Sequence, residues 1–519
     1  METRYLTILE VSQKQAYIFA SNKLQDNVTN SAVIAWVMSP QYFEQKAADA
    51  TLFSIDKNLV YSGGGHTILE FASLEQAKEF TKKITTSIKQ EYPGIEVFAK
   101  TEQYDNEKDA GQNLKHLTAA LEQKKALREA AFHQGSFGVE QVDSKTLLPI
   151  QKNLPKTVGK VPVAEAFVDD SLSAKEYGYE SVFQFEKLGG SKGKSNFIAV
   201  VHIDGNAMGK RVENLYQKNK EASWDEYKAK LRRFSESIDQ DFKAAYKEMV
   251  HAVAKNLDNG TLDALELENK NFPVRRIITA GDDICFVSEG RIGLECAVAF
   301  IKALGTKKNA EDGEPYAACA GVAVVHQKYP FYRAYELAEQ LCSNAKRFGV
   351  NLDKERGGEI SSIDWHLEYG EMKDSLEEIR ENYRAADGLY LEMRPYIVSG
   401  PEEVTNKEPA RRYIHFKKLM KRIQENEMAY SRARLKELRT VLKQGEVATE
   451  HYLHFHKIED ITRDSYQDIF VEVDYSGIGT GKKLERKVFL ETYGVNGAIR
   501  RSILFDAIEI TDSFLALDY

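Results

Sequence analysis

Apolar residues recur along this chain in two rhythms, and the places where one gives way to the other mark its elements. Apolar runs of strand length occur at Tyr5 to Val11 and at Phe197-Ile198-Ala199-Val200-Val201-His202-Ile203. Two more flank residues 280–283, with Ile277-Ile278 before them and Ile284-Cys285-Phe286-Val287 after. Steps of three and four then take over at Tyr227, Leu231, Phe234, Ile238, Phe242, Tyr246, Met249 and Val253, which predicts a long amphipathic helix. Ser223-x-x-Glu226 gives that helix a capping box, and Asn259-Gly260 ends it. A second helical stripe, Ala334, Leu337, Leu341 and Ala345, predicts a helix over Tyr332 to Phe348. Near the N-terminus, Leu59 to Leu69 reads as a hairpin around Gly63-Gly64-Gly65, and a helix opens at Gln13. Between these regions lie a charged helix around Leu117 to Phe132 and a proline-rich loop from Leu148 to Pro162.

The chemistry sits where strands end. Ala280-Gly281-Asp282-Asp283 reads as the tip of a tight hairpin, built from residues that suit such turns and exposing two carboxylates. An isolated Asp-Asp turn carries little weight, because Asp favours turns for its own hydrogen bonds. The order of elements carries more: strand, Asp204, glycine-containing loop, long helix, strand, acidic hairpin, strand. Three acids on neighbouring strand ends suit Mg²⁺, which prefers oxygen ligands and is held by one or two carboxylates together with substrate phosphates. Gly205 and Gly209 would let backbone amides approach a triphosphate at the start of the next helix, where Lys210 and Arg211 add positive charge.

These residues resemble the palm domain shared by GGDEF-type cyclases and, more closely, by the large polymerase-cyclase subunit of type III CRISPR effector complexes. In that family an Asp-Gly-(Asp/Asn)-x-Met-Gly strand end pairs with a Gly-Gly-Asp-Asp hairpin. Here they stand as Asp204-Gly205-Asn206-Ala207-Met208-Gly209 and Ala280-Gly281-Asp282-Asp283. The resemblance implies an α+β protein with two ferredoxin-like palms carrying antiparallel sheets, a helical linker and a mainly helical C-terminal region. The expected divisions are 1–105 for a first, degenerate palm, 106–190 for the linker, 191–365 for the catalytic palm and 366–519 for the rest. In the first palm the turn glycines are kept, but His66 and Thr67 stand where the acids would be and the strand offers only Glu10.

By the same resemblance Asp204, Asp282 and Asp283 are the catalytic residues, and with Ile203 they form the metal set for Mg²⁺ or Mn²⁺, Asp204 and Asp282 being the favoured ligands and Asp283, whose side chain should point to the other side of the strand, either a ligand or a partner behind one. Nucleotide contacts fall on Gly205, Asn206, Gly209, Lys210, Gly281 and Lys346. Lys346 is the Lys of an Ala-Lys pair that the related cyclases direct at triphosphate oxygens. The implied activity joins ATP or other NTPs into a cyclic oligonucleotide messenger, in antiphage defence. Two alternatives stand beside it: a non-catalytic or weakly catalytic scaffold in an RNA-guided complex, and a GGDEF-like dinucleotide cyclase.

Departures from the family pattern narrow these expectations. The sequence has no His-Asp dipeptide, so the family's phosphohydrolase is not expected. Its four cysteines, Cys285, Cys296, Cys319 and Cys342, are isolated, so neither is a zinc ribbon. With 71 Lys and Arg against 79 Asp and Glu, the net charge of -8 argues against a general nucleic-acid coat. The exception is a basic stretch at Arg411-Arg412, Lys417-Lys418 and Lys421-Arg422, which leaves RNA or CRISPR-type subunits open as partners, beside a homo-oligomer. No apolar run reaches membrane-spanning length and no leader pattern opens the chain, so a cytoplasmic protein is expected. Gly189 to Ser195 imitates a phosphate loop, but Leu188 replaces its first glycine and a strand follows. Gly477 to Gly481 reads as a hairpin turn, and His451, His454 and His456 as solvated or structural.

Overall fold

The computed structural model describes residues 4–92, 94–105, 108–127, 139, 174–188, 196–370, 375–426, 428–470, 472–474, 482–484, 487–494 and 497–519. The loop from Leu148 to Pro162, the segment Gly189 to Ser195 with its Lys194, and the turn Gly477 to Gly481 lie outside them. Two sheets organise the chain. The first has the order β2-β3-β1-β4, from strands β1 (Tyr5–Ser12), β2 (Leu59–Gly63), β3 (His66–Phe71) and β4 (Glu96–Gln103). The second has the order β10-β9-β8-β5-β7-β6. Its strands are β5 (Phe197–Gly205), β6 (Val274–Ala280), β7 (Asp283–Glu289), β8 (Ala318–His326), β9 (Ser361–Leu367) and β10 (Tyr396–Ser399).

The four strands β6-β7-β5-β8 repeat the order β2-β3-β1-β4, so the chain holds two palms of one plan. All pairings in both sheets are antiparallel except β8 with β9, which is parallel. Parallel neighbours need a crossover connection, and the helix Phe331–Leu352 supplies it. The six-stranded sheet continues beyond residue 365, since β9 runs to Leu367 and β10 adds a further strand. The C-terminal region is otherwise mainly helical, with two short hairpins, β11 (Glu472–Asp474) with β12 (Lys482–Leu484) and β13 (Phe489–Gly494) with β14 (Gly497–Ser502).

The long helix spans Trp224–Asp258, its capping box is made by Ser223 and Glu226, and every apolar position of its stripe is buried. In the linker region a helix covers Ala110–Ala126. Among the described residues no helix is long and apolar enough to cross a membrane. The palms face each other across a packed seam, where Phe19 lies 4.3 Å from the ring of Tyr335 and 5.4 Å from that of Phe331. Gln15 donates across the seam to Glu339 Oε1 at 2.9 Å and to the Tyr335 hydroxyl at 3.2 Å.

Candidate active site at the seam between the palms

The acidic site begins as a register. On β5 and β7, Asp204 lies directly opposite Asp283, and like charges directly opposite on one face of a sheet repel. Ala280 pairs with Asp283 across the two-residue turn Gly281-Asp282, and Gly281 takes φ 66°, the left-handed conformation the first position of a type II′ turn demands. Asp282 needs no such conformation, so the turn uses one glycine and leaves its second position to a carboxylate. The Gly205 amide donates to the Asp282 carbonyl at 3.1 Å, which ties the turn to the end of β5.

Charge has accumulated here. Burial, and then the Asp204 carboxylate, push the Asp282 carboxyl up to about 6 and that of Asp283 up to about 7. The Asp283 side chain is 41% exposed as a whole, yet its Oδ1 is enclosed and has no hydrogen-bond partner. Lys346 answers this charge from the Phe331–Leu352 helix: its Nζ lies 2.5 Å from Asp204 Oδ2 and donates to the Gly205 carbonyl at 2.9 Å. The helix reaches the strand ends because Gly321 of β8 has no side chain. A Cβ there would stand 1.9 Å from the Ala338 carbonyl oxygen and 2.4 Å from the Cys342 amide nitrogen.

Among the described residues no three His, Cys, Asp or Glu side chains converge into a ready-made metal cage. The three acids are neighbours, but Asp204 is drawn to the Lys346 ammonium, which stands where a cation would. That arrangement still fits Mg²⁺, which takes one or two protein carboxylates and completes its shell with water and phosphate. The enclosed Oδ1 of Asp283 has no hydrogen-bond partner, which leaves an oxygen for such an ion to satisfy. Ile203 has its side chain wholly in the core, so its main-chain carbonyl is the one oxygen it offers.

Other expected contacts divide. Gly205 and Gly281 lie at the acids, and Lys210 is exposed on the first turn of the helix Met208–Lys218 beside Gly209. Asn206 turns away: its side-chain amide is buried and donates to the Ile360 carbonyl at 2.7 Å, so it anchors the strand end. Arg211 is also spent, in a bidentate pair with Asp312 at 2.7 and 2.8 Å and stacked 4.8 Å from the Tyr316 ring. Half of the basic stretch in the C-terminal region is consumed inside the molecule, while Lys418 and Lys421 are exposed. Arg411 is buried and donates to the Pro395 carbonyl, Lys417 pairs with buried Glu295 at 2.5 Å, and Arg422 pairs with Asp460 at 2.8 Å. His454 is held by Glu459 at 2.7 Å.

The first palm supplies the opposite wall, through Tyr61 and Lys14, which the sequence pattern did not single out. Burial, and then the Asp282 carboxylate, push the Tyr61 phenol up to about 12. Lys14 donates to the Gly64 carbonyl, and its burial lowers its pKa against the opposing pull of Glu10 and Asp283. Register also corrects which residues replace the acids. Gly63 pairs with His66 across the turn Gly64-Gly65, as Ala280 pairs with Asp283 across Gly281-Asp282. The Val11 amide donates to the Gly65 carbonyl at 3.1 Å, the counterpart of the bond from Gly205 to Asp282. Gly65 and His66 therefore stand in the places of Asp282 and Asp283. Thr67 lies one step further, fully buried, and donates to the Met38 carbonyl at 2.9 Å. Glu10, opposite His66, occupies the place of Asp204 and pairs with Lys125 of the linker helix at 3.0 Å, as Asp204 pairs with Lys346. Burial, followed by the charge of Lys14, lowers His66 to about 4, so it is a neutral imidazole at pH 7.

A strand-end acid, an acidic hairpin and a helix lysine, on a sheet that is duplicated across a seam, define a palm domain. Residues 197–353 match the family model described as Cas10/Cmr2, second palm domain. No curated protein matches the chain. Among solved structures it is similar to the apo Csm1-Csm4 cassette at 14% identity and TM-score 0.52, covering 88% of this chain and 65% of that one. Csm1 in T.onnurineus is similar at 14% identity and TM-score 0.52, with 99% and 70% covered. A Csm1-Csm4 cassette in complex with pppApApA gives 13% identity and TM-score 0.52, with 98% and 69% covered. The chain thus spans 65–70% of the length of these structures. It carries a Cas10/Cmr2-type second palm within a fold shared with Csm1 chains.

Proposed function

We propose that this protein is a Mg²⁺-dependent nucleotidyltransferase that joins ATP, or other NTPs, into a cyclic oligonucleotide, with the second palm as its catalytic half. The observation that carries the proposal is the cross-strand pair Asp204 and Asp283, with Asp282 at the adjoining turn and Lys346 against Asp204, at a seam walled by a second palm. The complex of a similar structure with pppApApA supports adenine nucleotides as the monomer.

Asp204, Asp282 and Asp283 would hold the metal, with the Ile203 carbonyl beside them. Mg²⁺ bound there would supply charge neutralisation for the triphosphate and acidify the attacking ribose hydroxyl. Lys346 exchanges its hold on Asp204 for triphosphate oxygens, which keeps its charge-assisted bonds satisfied in both states. The first palm, with neutral His66 and Gly65 in place of two acids, binds no metal and instead places the nucleotide whose ribose oxygen attacks the α-phosphorus as pyrophosphate leaves. Incubation of the purified protein with ATP and Mg²⁺, followed by mass spectrometry of small products, tests the reading. A cyclic oligoadenylate is the expected product, and unchanged ATP under all metal conditions would favour the scaffold reading.

A further inference from the structure

His202 stands two residues before Asp204 on β5, opposite Cys285 and diagonal to Asp283. Side chains at such diagonal positions on one sheet face come within reach of each other when long enough. Here the gap is 3.5 Å, from His202 Nδ1 to Asp283 Oδ1. Both atoms are enclosed, and neither has a hydrogen-bond partner. Leaving two buried polar atoms unsatisfied costs free energy at each, so such a pair persists where a small movement lets one satisfy the other. The imidazole cannot swing elsewhere, because it is 6% exposed and packed edge-on against the Tyr335 ring at 5.5 Å.

We propose that His202 is the positioning residue of the metal site: its Nδ1–H closes the short gap to Asp283 Oδ1 and so aims the other carboxylate oxygen at the cation. This rests on the reading of Asp283 as a ligand. Ligands of a bound metal are oriented by hydrogen bonds from behind, and loss of such a partner weakens metal affinity by about 10-fold to 100-fold. The tautomer follows from the same geometry, since an ionised carboxylate only accepts and the nitrogen facing it must carry the proton.

The test uses Mn²⁺ alone as probe, its binding to the purified protein followed by the loss of the free-ion paramagnetic resonance signal. His202→Leu should weaken Mn²⁺ by about 10-fold or more, whereas His202→Asn, which restores an N–H near Nδ1, should stay within about 3-fold of the unaltered protein. In an Asp283→Ala background, His202→Leu should add nothing. Should the leucine variant not fold, nitrogen-15 spectra of histidine-labelled protein decide: Mg²⁺ should shift the His202 Nδ1 signal, and an unmoved signal overturns the proposal. Unaltered Mn²⁺ affinity in His202→Leu, or equal weakening by leucine and asparagine, also overturns it. Unaltered protein that binds no Mn²⁺ would instead overturn the metal-site reading beneath it.

Discussion

At the scale of single residues, the site is a balance between three carboxylates and one ammonium. We expect Asp204→Ala to abolish nucleotide turnover in a product assay while the circular dichroism spectrum is kept. Lys346→Ala removes a charge-assisted contact worth roughly 1.5–3 kcal/mol, so the KM for ATP should rise by about 10-fold or more. His66→Ala should cost far less than either, because it replaces a neutral ring in the palm whose turn carries no acid. The raised carboxyls also set a pH dependence. Asp282 and Asp283 are held near 6 and 7, against an ordinary value of 3.8, so the folded protein binds more protons than the unfolded chain across that interval. Their contribution is therefore full in acid and lost as pH rises through about 6 and 7. In metal-free buffer the Tm should fall between about pH 4 and pH 7, Mg²⁺ should restore it above that interval, and Asp283→Asn should flatten the slope. A Tm independent of Mg²⁺ at pH 8 would remove the carboxylates as its binding site.

At the scale of elements, the strand before Asp204, the acidic hairpin and the capped helix were legible in the sequence because each is a local signal, a run or a stripe with its own stop. Lys346 was reached through resemblance alone. Its helix spacing says nothing of which strand end it meets, and Gly321, 17 residues before the contact helix turn at Ala338, decides that. Tyr61, Lys14 and the pair Gln15 with Glu339 were illegible for the same reason, since each acts across hundreds of residues of chain or between domains. The partners of Asn206 and Arg211, Ile360 and Asp312, could not be read from the sequence because they come from distant segments. Gly321 offers a test at this scale. Overpacking costs about 1–3 kcal/mol or more, and Gly321→Val should push the Phe331–Leu352 helix off β8. We expect a lower Tm together with a KM for ATP raised as in Lys346→Ala, whereas a lowered Tm with normal KM would detach the helix position from phosphate binding.

At the scale of the whole molecule, the two palms meet at a packed seam, the net charge is acidic, and Lys417 and Arg422 of the basic stretch are taken up in ion pairs. A protein that gripped guide RNA would neutralise many phosphates and bind with steep salt dependence. We expect the purified protein to carry no stoichiometric RNA, read from its absorbance ratio and phenol extraction, and to make product from ATP without a guide. Co-purifying RNA with no product would point to the scaffold. The doubled plan has a consequence in terms of symmetry. The two halves share strand order, the hydrogen bond from strand end to turn, an acid paired with a helix lysine, and even a left-handed residue before the next helix, Gln13 at φ 50° and Ala207 at φ 57°. Shared backbone details of this kind set the two turns in matching places whatever side chains they carry. At the turns the halves differ in chemistry, Gly65 and His66 against Asp282 and Asp283, so a nearly symmetrical pair of backbones presents an acidic turn on one side of the seam and a neutral one on the other.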